Sequence, residues 1–142
     1  MLPPTLRRDM KNMLNDELFS DIIFVLEGKN TIKAHKAILA SRCEVFRSMI
    51  SSSMQEGQKD HIEIKDTNTE VFKHLINYIY TDDVEFTDLS MVVNLLIESN
   101  KYNLARLKNI CEWELSKIID NENVIDLLHL TDIHEASELR GV

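Results

Sequence analysis

Hydrophobic residues between positions 20 and 64 follow patterns that predict three short β-strands. Ile22 to Leu26 is a continuous apolar run with β-branched and aromatic members, which is typical of a short strand buried on both faces. The next residues predict a turn, in which Gly28 and Asn30 tolerate positive φ, and Thr31 to Ala34 then completes a β-hairpin. Alternation over His61 to Ile64 predicts the third strand, with its two isoleucines facing inward.

Most of the remaining apolar residues recur at i, i+3 and i+4 spacing, which predicts amphipathic helices. A helix capped by Thr5 runs through Leu14, and two short helices are hinged near residues 41–43. Longer helices follow residues 67, 87 and 104, and two short ones follow residue 123. The residues that define these helices are Leu6, Met10, Met13 and Leu14; Ile38 and Leu39; Val45, Phe46, Met49 and Ile50; Val71, Phe72, Leu75, Ile76 and Ile79; Leu89, Val92, Val93, Leu96 and Ile97; Leu107, Ile110, Cys111, Leu115 and Ile118; Val124, Ile125, Leu127, Leu128 and Leu130; and Ile133 to Leu139.

Polar residues mark the junctions between these elements. Thr67 and Glu70 have the spacing of a capping box, and Asp88 or Thr87 caps the next helix. Ser51 to Asp60 is predicted to be a loop because it lacks sustained apolar periodicity. Since a two-stranded hairpin is not stable alone in water, helices must cover it. The predicted fold class is therefore α+β, predominantly α, with a small three-stranded sheet capped by a helical cluster and followed by a short helix pair.

Length and composition limit the classes of protein to consider. The chain has 142 residues, which predicts one domain, and its net charge of −8 comes without a basic stripe. That balance argues against nucleic acid or an anionic membrane as a partner. The apolar runs are strand-sized and the N-terminus lacks a signal-peptide core, so no membrane span is predicted. Cys43 and Cys111 lack disulfide or ligand spacing, so we predict an intracellular protein, cytoplasmic or nuclear, with two reduced and unreactive core thiols.

The search for catalytic or metal-binding residues finds no convergent cluster in the sequence. The chain has only three glycines, so a phosphate-binding loop is not predicted. Glu70 and His74 lie four residues apart on one helical face, and a predicted helix end separates His129 from His134. A metal site needs three or four converging ligands, and solvated surface pairs are the more common reason for such spacings. We therefore predict a protein that is not an enzyme and binds no cofactor or metal.

One set of motifs resembles a known family. Ser20 to Phe24, followed by Ala34 to Lys36 and then by Val45 and Phe46, is similar to the signature of the BTB (POZ) domain. The resemblance continues through Tyr78 to Thr81 and Lys101 to Leu104, so it covers nearly the whole chain. It implies the BTB/POZ fold. The motifs most resemble the BTB domains of substrate adaptors, which follow a MATH domain or are joined to RCC1-like, ankyrin or kelch repeats.

The C-terminal segment carries a second resemblance. Asn123 to Leu139 is similar to the helix pair, often called the 3-box, that follows BTB domains in cullin-binding adaptors and opens a BACK-type extension. This resemblance implies a BTB/POZ domain over residues 1–119 and the truncated start of the extension over residues 120–142. The chain is then expected to be a fragment of a larger protein.

The resemblance implies a function in protein recruitment. Met54-Gln55-Glu56 matches the hydrophobic-x-Glu motif of BTB domains that bind cullin-3, although Gly57 replaces the small polar residue usual at the next position. Tyr80, Leu127 and Leu128 are expected to flank that contact. The implied protein is a homodimer that recruits the cullin-3 N-terminal region to an E3 ubiquitin ligase, while a domain outside this chain binds the substrate. The alternative is an oligomerisation module that does not bind cullin, as in transcription regulators, scaffolds or channel tetramerisation domains.

The first helix has two possible roles. From periodicity alone, the stripe formed by Leu6, Met10 and Met13 packs on its own domain, although adaptable methionines also suit an interface. In BTB dimers the first helix packs against the partner copy at matching apolar positions, so the resemblance favours a dimer interface. Ile38 is expected to be the neighbour of this stripe across that interface.

Three residues near the signature motif have expected structural roles. The resemblance implies that Asp21 and Lys36 form a buried or half-buried charged pair beside the dimer interface. We expect this pair to be structural, because breaking a buried pair leaves an uncompensated charge. His35 is expected to form a hydrogen bond at the start of its helix and not to bind a ligand.

Overall fold

The computed structural model describes residues 3–55 and 60–121. Among these residues there are six α-helices and one three-stranded sheet, which confirms the predicted α+β, predominantly helical class. The described residues form two compact units, one that ends at residue 85 and one that begins at residue 86. The elements are α1 (Leu6–Asn15), β1 (Ile22–Val25), β2 (Thr31–Ala34), α2 (Lys36–Arg42), α3 (Glu44–Gln55), β3 (His61–Glu63), α4 (Thr69–Thr81), α5 (Leu89–Lys101) and α6 (Ala105–Asn121).

The sheet has the order β2-β1-β3, with β1 at its centre. β1 pairs antiparallel with β2 and parallel with β3. The prediction that β1 is buried on both faces was wrong, since Ile22 and Phe24 are buried whereas Ile23 and Val25 are only half-buried. The sheet therefore buries one face, on which Phe24 contacts the rings of Phe46 and Phe72 at centroid distances of 5.4 and 5.1 Å. These three rings are the centre of the core of the first unit.

The hairpin turn confirms one of the two predicted left-handed residues. Gly28 has a φ of +69°, but Asn30 is extended with a φ of −66°. Lys29, with a φ of +62°, takes the second left-handed position. Asn30 is extended because its carbonyl oxygen accepts the hydrogen bond that closes the hairpin from the Leu26 amide, at 2.7 Å. Its side-chain amide then donates to the Glu27 carbonyl oxygen, at 3.0 Å.

Helix α3 is longer than predicted. Ser51 to Asp60 was expected to be a loop, yet residues 51–55 continue the helix to Gln55. Ser53 is buried on this last stretch, and its hydroxyl lies 3.5 Å from the main-chain oxygen of His61 at the start of β3. Packing against β3 therefore extends a helix whose last residues have only modest helix propensity.

Capping residues define the starts of the longer helices. Asn68 caps α4, because its side-chain oxygen accepts a hydrogen bond from the Val71 amide at 2.8 Å. The predicted cap Thr67 is instead buried. Asp88, one of the two predicted candidates, caps α5 through a 2.8 Å bond from the Met91 amide. Thr5 occupies the N-cap position of α1 but makes no side-chain capping bond.

In the second unit, helices α5 and α6 pack against each other. Their connection turns at Asn103, which has a φ of +55°, and Leu104 is buried directly after it. Leu95, Leu107 and Leu115 are among the most deeply buried residues of these two helices. The helix pair predicted after residue 123 lies outside the described residues. Across residues 3–55 and 60–121, no helix is both long and apolar enough to span a bilayer.

Candidate self-association and partner-binding surfaces

Helix α1 carries an apolar stripe that its own domain does not bury. No residue of α1 is buried, and Leu6 is 72% exposed. Met10, Met13 and Leu14 are half-buried. A short helix normally depends on burial of its apolar face for stability, because isolated helices of this length are marginal in water. The stripe is therefore a candidate surface for a further contact.

Polar side chains hold α1 against helix α4. The Nε atom of Arg7 donates to the main-chain oxygen of Thr81 at 2.9 Å. One turn further along α1, the Nζ atom of Lys11 donates to Oδ1 of Asn77. These two bonds lie on one face of α1, since the residues are four apart. They position the helix without covering its apolar stripe.

An open groove lies between helices α1, α2 and α4. Leu6 and Met10 line it from α1, and Ile38 lines it from α2. The structure thus brings together three of the four residues predicted for a dimer interface, whereas Met13 does not line the groove. Their role in contacting a second copy stays a prediction.

His35 and Tyr80 form a buried hydrogen-bonded pair. The Tyr80 hydroxyl oxygen accepts from the His35 main-chain amide at 2.8 Å and lies 2.7 Å from the ring Nδ1. This pair joins the start of α2 to the last turn of α4, as expected for a histidine that bonds at the start of its helix. Burial raises the pKa of Tyr80 to about 12, and the charge of Asp21 acts in the same direction. Tyr80 is only 4% exposed, so little of its surface is available to a partner. Its contact with cullin-3 stays a prediction.

Asp21 and Lys36 are in contact, but not as the predicted buried ion pair. Oδ1 of Asp21 accepts a hydrogen bond from the main-chain amide of Lys36 at 2.7 Å. Asp21 is exposed and Lys36 is half-buried. Lys36 is the first residue of α2, so the carboxylate binds one of the N–H groups that lack a partner within the helix. The structural role was expected, but the contact is to the main chain instead of the ammonium group.

The last turn of α3 presents Met54 to solvent. Met54 is 50% exposed, whereas the neighbouring Ser53 is buried. Met54 was expected in a loop but lies on helix α3. The helix fixes the backbone position from which its side chain extends. The other three residues predicted for the cullin contact, Glu56, Leu127 and Leu128, lie outside the described residues.

The turn between α1 and β1 exposes two large apolar residues that the sequence analysis did not single out. Leu18 is 74% exposed and Phe19 is 69% exposed. Oδ1 of Asp16 accepts from the Leu18 amide at 2.9 Å, and the Glu17 carbonyl oxygen accepts from both the amide and the hydroxyl of Ser20. The signal in the sequence was two adjacent large apolar residues inside a polar turn.

Another exposed aromatic residue lies on α6 in the second unit. Trp113 is 63% exposed, and the Lys117 ammonium nitrogen lies 4.1 Å from the centroid of its ring. This cation–π contact covers part of one face of the indole. Trp113 offers a matched control for substitutions in the first unit, because it is a large exposed residue outside that unit.

The described residues hold neither a metal-binding group nor an exposed thiol. No group of three or more candidate ligands converges among them. The ring Nδ1 of His74 bonds to the main-chain oxygen of Glu70 at 2.8 Å, and the Glu70 carboxylate pairs with Lys73. Cys43 and Cys111 are buried, as predicted. Burial raises the pKa of both thiols, to about 12 for Cys111.

Comparison with known proteins identifies the family. The chain is similar in fold to the BTB domain of zebrafish PATZ1, with a TM-score of 0.66 and 19% sequence identity, over 83% of this chain and 98% of that one. The family model described as the BTB/POZ domain matches residues 10–119. Domains of this kind mediate protein–protein interaction and typically self-associate. The chain therefore belongs to the BTB/POZ domain family.

Proposed function

We propose that this domain forms a homodimer and recruits the cullin-3 N-terminal region, as the substrate-adaptor part of an E3 ubiquitin ligase. The observation that carries the cullin contact is Met54, which is half-exposed on the last turn of α3. The substrate would be bound by a domain outside this chain. The domain itself supplies contacts and no chemistry.

Met54 has the properties of an anchor for a partner protein. Apolar side chains that enter a pocket on a partner contribute most of the free energy at many interfaces, and polar residues beside them set the register. Ser53 fixes the helix on one side through its burial against β3, so Met54 is presented without further ordering. Less conformational entropy is then lost on binding. Glu56 follows two residues later in the sequence and is proposed as the charged partner of this anchor.

The homodimer is proposed to form through α1. Leu6, Met10 and Met13 remain exposed or half-exposed, although α1 is held in place by Arg7 and Lys11. A fixed helix with an uncovered apolar stripe fits an isologous interface, in which the same patch occurs on both copies. Ile38 lies across the groove from Leu6 and Met10 and is proposed to join the same interface.

Calorimetry with the purified 142-residue chain and the cullin-3 N-terminal region tests the cullin contact. Met54→Ala should weaken binding by roughly thirtyfold, which corresponds to a hot-spot loss of about 2 kcal/mol. Trp113→Ala is the matched control, because it also removes a large exposed side chain, and it should bind as the wild type does. Equal binding by the Met54→Ala variant would rule out Met54 as the anchor.

The second candidate is a BTB oligomerisation module that does not bind cullin. The exposed stripe on α1 favours it, because self-association through Leu6 and Met10 requires nothing from the end of α3. Light scattering on the mixture separates the two functions. A dimer that forms no larger complex with the cullin-3 region identifies the module, whereas a complex containing both proteins identifies the adaptor.

A further inference from the structure

Met54 is the most exposed sulfur-containing residue in residues 3–55 and 60–121. It is 50% exposed, whereas both cysteines are buried. The other methionines of the same ranges are half-buried, and they are Met10, Met13, Met49 and Met91. Burial also raises the pKa of the Cys43 and Cys111 thiols, so little reactive thiolate forms. An oxidant in solution therefore reaches the Met54 sulfur more readily than any of these others.

The last turn of α3 leaves the Met54 side chain without a large exposed neighbour on its own helix. Residues three and four positions apart are neighbours on a helix surface. Ser51, three positions earlier, is exposed but small. Ile50, four positions earlier, is 6% exposed and belongs to the core. Neither side chain shields the thioether of Met54 from the solvent side.

A peroxide oxidises an exposed thioether in one balanced step. The sulfur lone pair attacks one oxygen of hydrogen peroxide, and the S–O bond forms as the O–O bond breaks. The second oxygen takes up the proton of the first and leaves as water. The sulfur is thereby oxidised to the sulfoxide while the peroxide is reduced. Methionine sulfoxide reductases reverse this change.

The sulfoxide would change what Met54 can bind without changing the fold. Its oxygen is a polar acceptor, and a partner pocket that fits an apolar thioether would have to bury it without a donor. In the subunit itself the side chain is half-exposed, so the added oxygen can stay in water. Oxidation of Met54 is therefore expected to act on association and to leave core packing intact.

We propose that Met54 is a peroxide-sensitive modification site, whose oxidation to the sulfoxide blocks the contact with the cullin-3 N-terminal region and whose reduction restores it. This inference rests on the proposed function and adds to it a reversible control of the same contact. The exposure of one methionine at the proposed anchor, with the other described sulfur atoms protected, carries it.

Peptide mass spectrometry tests the selectivity of the modification. The purified 142-residue chain is treated with dilute hydrogen peroxide, and the sulfoxide at each methionine is measured over time. Met54 should be oxidised several times faster than Met10, Met13, Met49 or Met91, because oxidation follows exposure. In urea the five rates should become similar, which shows that the fold sets the difference. A folded protein in which Met49 or Met91 reacts as fast as Met54 overturns the inference.

Calorimetry with the cullin-3 N-terminal region tests the effect on binding. Peroxide treatment of the wild type should weaken binding by at least about tenfold, as expected when a polar group is buried without a partner. Met54→Leu keeps an apolar side chain without sulfur, so this variant should bind before treatment and equally well after it. Incubation of the oxidised wild type with methionine sulfoxide reductase should restore its affinity. The melting temperature of the oxidised chain should match that of the untreated one.

The outcomes separate this inference from the proposed function. If the untreated chain binds and the chain oxidised at Met54 binds equally well, the modification does not control the contact, while the adaptor function stands. If the treated Met54→Leu variant loses binding as the wild type does, oxidation acts at another residue and the inference is again overturned. If the untreated wild type does not bind the cullin-3 region, the proposed function and this inference fall together.

Discussion

At the scale of single residues, Asp21 shows how one carboxylate connects two elements. It precedes β1 in the chain and binds the first amide of α2, fifteen residues later. The first N–H groups of a helix lack intrahelical partners, and negative charge is favourable at that end. Asp21 therefore acts as a capping group for α2 supplied by a different part of the chain.

The capping role predicts different effects for the two residues of this contact. Asp21→Ala should lower the free energy of unfolding by about 1 kcal/mol, as measured for the loss of helix caps. Lys36→Ala should change it little, because the bond uses the main-chain amide of Lys36. Urea denaturation of both variants measures the difference. A larger loss for Lys36→Ala would support the ion pair that the family resemblance implied.

The two cysteines are predicted to be unreactive in the folded protein. Burial raises the pKa of the Cys43 thiol, and raises that of Cys111 to about 12, so little thiolate forms near neutral pH. Labelling by a thiol reagent at pH 8 should be slow and limited by unfolding, and it should accelerate when urea is added. Fast labelling of either thiol without denaturant would contradict this.

The raised pKa of the Cys111 thiol predicts that the folded protein loses stability in alkali. The folded-state pKa of Cys111 lies above its ordinary value of 9.0, so the unfolded chain loses its proton at lower pH than the folded one. The stabilising contribution is complete below about pH 9 and is lost as pH rises toward 12. Urea denaturation between pH 8 and 11 should show the free energy of unfolding falling with pH. Cys111→Ala should reduce that slope, even though it lowers stability overall.

The contacts between individual residues were the part of the candidate site that the sequence predicted least well. The resemblance placed Asp21 near Lys36, but the choice between the ammonium and the main-chain amide depends on the backbone path from β2 into α2. The bond between His35 and Tyr80 spans 45 positions, and no local pattern signals it. The exposure of Leu18 and Phe19 was missed because apolar residues beside a strand are ordinarily read as part of the core.

At the scale of elements, periodicity predicted the helices and strands well and their ends less well. The strand predicted over Thr31 to Ala34 matches β2, because alternation and turn residues are local signals. The end of α3 was missed because burial of Ser53 against β3 overrides the weak helix propensity of Ser51 to Ser53. The parallel pairing of β1 with β3 was not predicted, because 35 residues lie between Val25 at the end of β1 and His61 at the start of β3. No local motif spans that distance.

Capping chemistry predicts the stability of helix α4. Asn68→Ala should lower the free energy of unfolding by about 1 kcal/mol, because the Val71 amide loses its side-chain acceptor. Thr67 is the cap that the capping-box pattern suggested. Thr67→Val keeps the shape of this side chain and should change the free energy of unfolding little, because Thr67 does not cap α4. Urea denaturation compares the two variants. If Thr67→Val were the more destabilising change, Asn68 would not be the functional cap.

At the scale of the whole molecule, the apolar stripe on α1 lies on a helix that contributes nothing to the buried core of the first unit. The core is built around Phe24, Phe46 and Phe72, whereas α1 contributes no buried residue. A subunit organised in this way separates folding from association, because its interface can change without removing core packing. The self-association typical of the family can therefore be tested with surface substitutions alone.

This separation leads to a prediction about concentration. Binding that favours the folded state raises the melting temperature by mass action, so the wild-type melting temperature should rise with protein concentration if the folded state is a dimer. The variant with Leu6→Asp and Met10→Asp should be a folded monomer, because the two carboxylates would have to be desolvated in the interface, whereas neither position is buried in the subunit. Its melting temperature should be independent of concentration.

Trp113→Asp also places a charge at an exposed apolar position and should keep the wild-type dependence. Calorimetric melting over a hundredfold range of concentration measures all three proteins, and a double variant that keeps the wild-type dependence would show that α1 is not the interface.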